Sequence, residues 1–563
     1  MKQLLQNIRS GATEVEDVPV PSPKPGTALV QTGASLVSAG TERMVVEFAE
    51  KSLLGKARSR PDLVRQVIDK ARREGLLSTI GAVFNRLEQP MPLGYSSAGT
   101  IVTLGEGLQG FQVGQRVACA GGGHAVHAEY NVVPQNLLSA LPDGVDFESA
   151  AFTTLGAIAM HGYRLAETQI GERVAVIGLG LLGLLAAGIA RAAGCMVLGI
   201  DLDPGRVALA HQMGIKGVLR DQAEETAGAL TRGKGMDAVL ICADTPSADP
   251  VELAGAIARD RGKVVAVGSV GLKLPRKVYY EKELSFINSR SYGPGRYDPT
   301  YEQEGQDYPI GYVRWTEGRN MEAFVELLAS SRLDVKPLIT HRFPIERAPE
   351  AYELITGKAK EPFLGVILTY PGASESSISL SSAPASRIIQ YEVREAGQVS
   401  SVKLGVLGAG NFASVVMLPV LKKMAGIEML GVASASGVSA AQAARRFGFR
   451  YATSQESDVL SDPSINTVAI LTRHHLHASQ VISALDAGKN VFCEKPLALT
   501  REELEDIAAT LVRINEKQDE VVPLLMVGFN RRFSPMAKKL QAFLADRHEP
   551  LVAHYRVNAG YIP

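Results

Sequence analysis

The 563-residue chain carries 59 Lys+Arg against 59 Asp+Glu, so no net field draws it to nucleic acid or an anionic membrane, and small-molecule chemistry is expected. Its length implies roughly three or four domains with large buried cores. The four cysteines, Cys119, Cys195, Cys242 and Cys493, form no CxxC pair and the start MKQLLQNIRS has no apolar leader, which argues against a disulfide framework or export and for a reduced cytoplasm.

Residues 1–140 show short alternating apolar segments between Gly and Pro turns, among them GTALVQTGAS, SAGTIVTLG and VGQRVACAGG, which predict a small β-barrel-like domain. Within it, residues 63–86 have helical spacing and many basic side chains and read as a solvated helical lid. The run RVAVIG then predicts a buried strand that turns, at VIGLGLLG, into an alanine-rich helix. In that context Gly178 makes the tight turn, Gly180 lets a pyrophosphate approach the backbone, and Gly183 lets helix and strand pack closely. Residues 174–190 run 17 residues without a charge, near membrane-span length, but a strand turning into a buried helix accounts for them better. The next strand, MVLGIDLD, ends at Asp201, 18 residues beyond Gly183. A carboxylate at that spacing reaches the adenosine ribose hydroxyls and repels a 2′-phosphate, so NAD(H) is expected here. Strands AVLICA and KVVAVG then alternate with helical stretches, as in a parallel doubly wound sheet.

Ser289–Asn320 is long and aperiodic, and gathers Arg290, Arg296, Arg314 and Arg319 with Tyr292, Tyr297, Tyr301, Tyr308, Tyr312 and the only tryptophan, Trp315. Arginine forks bind carboxylate or phosphate and aromatic faces stack on sugar rings, which makes Arg314 and Trp315 candidate contacts for an anionic sugar-like substrate. An oligomer interface and a plain surface loop are the other readings of this stretch. After a helical return the text becomes PGASESSISLSSAPAS, so residues 371–400 read as a linker. The second fingerprint, VLGAGNFA, supplies Gly408, Gly410 and Asn411, with Ala413 at the third glycine. After the strand EMLGVA, the stretch ASASG has no acid to hold a ribose, which leaves NAD(H) and NADP(H) both open, with Ser434 and Ser436 as candidate phosphate donors. The terminal PLVAHYRVNAGYIP alternates and reads as a half-buried strand.

Through AGTE, PLGYSSAG, VGQRV, the GLGLLG turn and FPIERAPEAYELI, residues 1–370 resemble the medium-chain dehydrogenase/reductase family, relatives of the zinc alcohol dehydrogenases. Residues 401–563 resemble the glucose-fructose oxidoreductase/inositol dehydrogenase (Gfo/Idh/MocA) family through VLGAGNFA, HHLHA, GKNVFCEKPL and GFNRRFSP. The two resemblances together imply an α/β bi-domain oxidoreductase. A GroES-like β-barrel would span 1–140, completed by 291–370, with a first Rossmann domain over 141–290. A second Rossmann domain would span 401–520, and 521–563 would begin a C-terminal α+β substrate domain whose remaining strands do not follow.

Matched motif by motif, the zinc-ligand Cys of the first family falls on Ala39, its His-Glu pair on Tyr95 and Ser96, and its last ligand near Thr154. None supplies the imidazole or thiolate that zinc prefers, and the four-Cys structural lobe is missing, so a module without metal is expected. Thr41 matches the proton-relay hydroxyl and Tyr95 stands where the ligand His would be, which makes both catalytic candidates; packing and turn roles stand equally open.

In the second half the resemblance makes Lys495 the residue that hydrogen-bonds the reacting hydroxyl. It places Thr472, His477, Glu494 and Pro496 around the cofactor, with a cis Lys495-Pro496 bond, and Asn530 and Arg532 toward the substrate. Because the family draws its partner Asp and His from the sheet that does not follow, this module is expected to bind a dinucleotide but turn over poorly. The implied activity is NAD(P)-dependent hydride transfer at a CH–OH group of a sugar or sugar-nucleotide-like compound, with polysaccharide metabolism as the setting. A cytoplasmic homo-oligomer engaging neither nucleic acid nor membrane is expected. The alternatives are a zinc-free reductase of activated double bonds and a non-catalytic cofactor-binding scaffold.

Overall fold

The computed structural model describes residues 1–51, 90–371, 388–391, 402–516 and 522–545, with Val552 and His554. The expected lid at 63–86 lies outside these residues, as does most of the terminal PLVAHYRVNAGYIP; its two described members, Val552 and His554, are exposed and belong to no strand.

The alternating N-terminal segments form β1 (Lys2–Asn7), β2 (Thr13–Asp17) and β3 (Thr27–Val37), followed by α1 (Ala39–Glu50), β4 (Pro90–Pro92), β5 (Ser96–Leu104), β6 (Arg116–Ala120), β7 (Tyr130–Pro134) and β8 (Leu138–Ala140). Apolar side chains along β3, β5 and β6 are buried, which fixes their antiparallel registers, since a slip of one residue would turn each apolar set to the other face.

After α2 (Thr153–Leu165), the charge-free stretch divides as its periodicity implies, into β9 (Arg173–Ile177) and α3 (Leu181–Ala192). At roughly 1.5 Å per residue α3 is far shorter than a bilayer core, and among the described residues no helix is long and apolar enough to cross a membrane. Then come β10 (Met196–Asp201), β11 (Lys216–Leu219), β12 (Met236–Ile241), β13 (Ala258–Ala266) and β14 (Ser285–Asn288), a parallel sheet in the order β11-β10-β9-β12-β13-β14. The helix α4 (Glu317–Ala329) crosses α2 so closely that a methyl on Gly156 would lie 2.2 Å from the Phe324 ring. The chain then returns as β15 (Ile339–Pro344) and β16 (Gly365–Thr369), and β16 pairs antiparallel with β3 to give the seven-stranded sheet β15-β16-β3-β5-β6-β8, with β7 also on β3.

The Ser-rich stretch read as a linker contains a short strand. In the second module β17 (Ile388–Gln390), β18 (Val402–Leu407), β19 (Ile427–Ala433), α5 (Gly437–Phe447), β20 (Tyr451–Thr453), β21 (Thr467–Ile470), β22 (Asn490–Glu494) and β23 (Leu525–Gly528) form a sheet ordered β17-β20-β19-β18-β21-β22-β23. Residues 371–400 are therefore not all linker: Ile388–Gln390 pairs antiparallel with β20 and covers that sheet edge, where unpaired N–H and C=O groups would otherwise stand.

The two modules touch. Ala441 of α5 is buried in one apolar cluster with Met1, Leu5, Val18 and Val20. The Ser454 hydroxyl donates to the Val20 carbonyl at 2.5 Å, and Arg445 pairs with Glu16. Only glycine fits at 437, because a Cβ there would lie 2.0 Å from the Pro19 carbonyl oxygen.

Candidate cofactor and active sites

Each glycine fingerprint builds a cradle that a dinucleotide pyrophosphate fits. Gly178 adopts φ +92°, and a Cβ on it would lie 2.7 Å from the Ala243 nitrogen; on Gly183 it would meet the Gly178 oxygen at 1.8 Å. Around Gly180, by contrast, no atom of the described residues lies within 4 Å of a built Cβ, and this open glycine is the N-cap of α3, where no described side chain is bonded. Unpaired N–H groups and the positive helix end face that space, where phosphate charge is stabilised.

Asp201, 8% exposed, closes β10 against this turn: its carboxylate accepts from Leu179 N at 2.6 Å and from Asp203 N at 2.9 Å. Arg206 stands 3.7 Å from the same carboxylate, which masks its charge. Replacing Asp201 by serine is therefore expected to remove the ribose acceptor and expose a guanidinium to a 2′-phosphate. The ratio of NADPH to NADH affinity should rise about tenfold or more, given roughly 1.5–3 kcal/mol for a charge-assisted bond; fluorescence titration with both nucleotides measures it, and an unchanged ratio would remove Asp201 from the ribose site.

In the second module Gly408 takes φ +97°, its built Cβ 2.8 Å from the Leu471 carbonyl, while the space at Gly410 is open. Ala413 at the third position is fully buried, and Ala413–Met417 wind as a π turn. Asn411 is exposed beside it. The parallel order brings the turn after β18, the Ser434–Ser436 loop after β19, Thr472 after β21 and Lys495 after β22 to one edge of the sheet, the carboxyl edge where open α/β sheets bind ligands.

Lys495 is exposed there, the Lys495-Pro496 peptide is cis, and Glu494, buried behind it, accepts from Lys495 N at 3.2 Å. His477 was expected to touch cofactor, but it is 0% exposed and its ring nitrogens face the Pro496 carbonyl (2.6 Å) and the Thr472 carbonyl (3.2 Å). It ties the Thr472 loop to the Lys495-Pro496 turn and so positions both. Thr472 in turn bonds Gln480 at 2.5 Å. Asn530 and Arg532 are exposed beyond β23, and Arg532 donates to the Val527 carbonyl at 3.3 Å.

At the zinc-ligand positions of the first module the side chains are occupied otherwise. Ala39 has no donor atom, Ser96 Oγ donates to the Ala151 carbonyl at 2.6 Å, and Thr154 Oγ1 donates to the Tyr95 carbonyl at 3.2 Å. Among the described residues no group of three or more His, Cys, Asp or Glu could hold a metal. The residues present do not fit a catalytic zinc.

What stands there instead is a phenol. Tyr95 OH donates to Ser38 Oγ at 2.6 Å and is also bonded by the Thr41 side chain. Burial pushes its pKa up, partly offset by the Ser38 and Thr41 bonds, so the phenol keeps its proton. Beneath it lies a buried network that the sequence did not reveal. Glu42 accepts from Ser38 N (2.8 Å), His127 Nε2 (3.1 Å) and Tyr352 OH, while Ser35 bonds both His127 Nδ1 and Tyr370 OH at 2.7 Å. This network pins the first turn of α1, which carries Thr41, to the returning residues 352 and 370.

Arg314 and Trp315 do not join this cleft. Trp315 is stacked by Arg314, 3.7 Å from its ring centroid, and by Arg164, 3.1 Å from it. Arg164 lies ten residues after Thr154 on α2, about 15 Å along the helix. From that loop Tyr292 is buried in one apolar cluster with Cys119 and Ala157.

Comparison with known proteins agrees with this geometry. Residues 68–143 match the family model of the alcohol dehydrogenase GroES-like domain, residues 182–303 that of the zinc-binding dehydrogenases, and residues 402–521 that of the oxidoreductase family with an NAD-binding Rossmann fold. A sorbitol dehydrogenase of Halalkalibacterium halodurans is 29% identical over 302 residues, 47% of this chain and 80% of that protein. A D-xylulose reductase of Saccharomyces cerevisiae is 28% identical, over 49% of this chain and 81% of its own length. Among solved structures, the alcohol dehydrogenase TADH from Thermus sp. ATN1 superposes with a TM-score of 0.50 at 22% identity, over 66% of this chain and all of its own, a likeness of fold. The chain is thus a two-module NAD(P)-dependent oxidoreductase, an alcohol-dehydrogenase-type pair of GroES-like and Rossmann domains joined to a Rossmann domain of the Gfo/Idh/MocA family.

Proposed function

We propose that the first module interconverts a CH–OH group and a carbonyl on a sugar- or polyol-like substrate, with NAD(H) and without zinc. The observation that carries this reading is Tyr95, hydrogen-bonded to Ser38 and Thr41 at the position of a zinc ligand. A bound nicotinamide supplies or accepts the hydride. The chain's own task is then the proton. In oxidation Tyr95 takes the proton of the substrate hydroxyl while its own leaves through its hydroxyl partners, and exposed Thr41, which bonds the phenol directly, hands a proton to solvent. In reduction the same path runs inward. The names of the sorbitol and xylulose relatives support a polyhydroxylated substrate, and a sugar nucleotide is accommodated if its anionic part stays outside the Tyr95 cleft.

In the second module, by resemblance, exposed Lys495 meets a substrate hydroxyl, with NAD(H) or NADP(H) held at Gly408 and Gly410 and Ser434 and Ser436 beside the ribose. The test is a panel of polyols, aldonates and sugar nucleotides with NAD⁺, read by nicotinamide absorbance. NADH formation with a member of the panel is expected. No formation from any of them, by protein that binds NADH in titration, would leave a cofactor-binding protein without this activity.

A further inference from the structure

Resting on that reading of the first module, we infer that Tyr292 and Glu317 form a subsite for uncharged hydroxyl groups of the substrate. The two residues are held together by backbone. Glu317 N, at the start of α4, donates to the Pro294 carbonyl at 2.8 Å, and Asn320 one turn on donates from Nδ2 to the Tyr292 carbonyl at 3.0 Å. Tyr292 is 3% exposed and Glu317 0%, yet the Tyr292 hydroxyl and both Glu317 carboxyl oxygens have no hydrogen-bond partner among the described residues. Buried polar groups are rarely left so, and two together from one loop point to a ligand that completes them.

Their place fits the reaction centre. Tyr292 belongs to one buried apolar cluster with Cys119, whose carbonyl receives Thr154 Oγ1 at 3.4 Å, and with Ala157, one turn of α2 from Thr154. Glu317 and Tyr95 both lie within electrostatic reach of the Tyr292 hydroxyl.

The chemistry selects neutral hydroxyls. Burial, with the nearby Glu302 charge, pushes Glu317 up to about 9 against the opposing pull of Arg296, so near neutral pH it is a carboxylic acid that donates once and accepts once. The Tyr292 phenol, raised by burial, likewise both donates and accepts. The cation beside them, Arg296, is already paired with Glu302. An anionic group entering here would lose its hydration without gaining a counter-charge, whereas adjacent alcohol hydroxyls match this donor and acceptor set.

The full chain saturated with NADH should show an infrared band of a protonated carboxyl that Glu317→Gln removes and D-sorbitol shifts, while D-gluconate of the same chain length leaves it in place. Tyr292→Phe and Glu317→Gln should each weaken D-sorbitol binding about tenfold or more, with NADH affinity unchanged as the control for folding. A band that saturating D-sorbitol does not move, or sorbitol affinity unchanged in both variants, would overturn the subsite. A shifted band without any NADH formation from sorbitol and NAD⁺ would instead sustain the subsite and count against the proposed reaction.

Discussion

Tyr95→Phe is expected to lower kcat of the first module by about 10²- to 10⁴-fold, the range for loss of a positioned proton-transfer group, with little change in NADH affinity. The substitution removes one oxygen and leaves the ring, whose neighbours are the apolar cluster of the domain junction. What disappears is the donor to Ser38 Oγ, and with it the one hydroxyl among the four positions matched to zinc ligands that is not committed to a backbone carbonyl, since Ser96 and Thr154 donate to the Ala151 and Tyr95 carbonyls. Hydride transfer would then have to proceed with no partner for the proton. Steady-state kinetics with the substrate found in the polyol panel, beside an NADH titration, separates the two effects. Equal kcat in variant and wild type would assign Tyr95 to packing alone.

Glu42→Ala should destabilise the first module by about 3–5 kcal/mol, the usual cost of breaking a buried, hydrogen-bonded charge network by removing one partner. Glu42 is the common acceptor for Ser38 N, His127 and Tyr352. Without it, His127 and the Tyr352 hydroxyl would lose their shared acceptor in the interior, and α1 would lose its tie to the returning residues. The bonds form one chain, Tyr370 to Ser35 to His127 to Glu42, in which each donor can find one acceptor. Glu42→Gln keeps the shape but places N–H groups where two donors already point, so it should cost less than alanine yet remain clearly destabilising. A chain of this size need not unfold in one step, so the loss is read on the first-module transition, by calorimetry of the full chain. A shift of that transition no larger than for a surface Glu→Ala would show that the network bears little stability.

The parts of this architecture that depend on local backbone geometry were legible in the sequence. Gly178, Gly183 and Gly408 announce tight turns because no side chain fits there, and Asp201 follows at a spacing set by one helix and one strand. The replacement of zinc ligands by Ala39, Tyr95, Ser96 and Thr154 needed only a motif match. Contacts made by topology were not legible. Tyr352 lies 310 residues from Glu42, and nothing in AGTE foretells its partner. Glu317 follows the capping Thr316 and reads as an ordinary first-turn acid, a role that usually leaves a carboxylate in water. Arg314 and Trp315 suggested a substrate wall by composition, but stacking on Arg164 holds them at the far end of α2. Ile388–Gln390, three residues in a Ser-rich stretch, became a strand only because β20 offers an edge to pair with.

The proposed reaction assigns to Tyr95, with Ser38 and Thr41, the proton chemistry that a metal would support in a zinc-binding dehydrogenase. Its most direct test is metal analysis of the purified chain coupled to turnover before and after exhaustive chelation, with zinc added back at the end. The expected result is substoichiometric zinc and an unchanged rate at each stage. One zinc per chain, lost on chelation together with activity and restored with it, would contradict the claim.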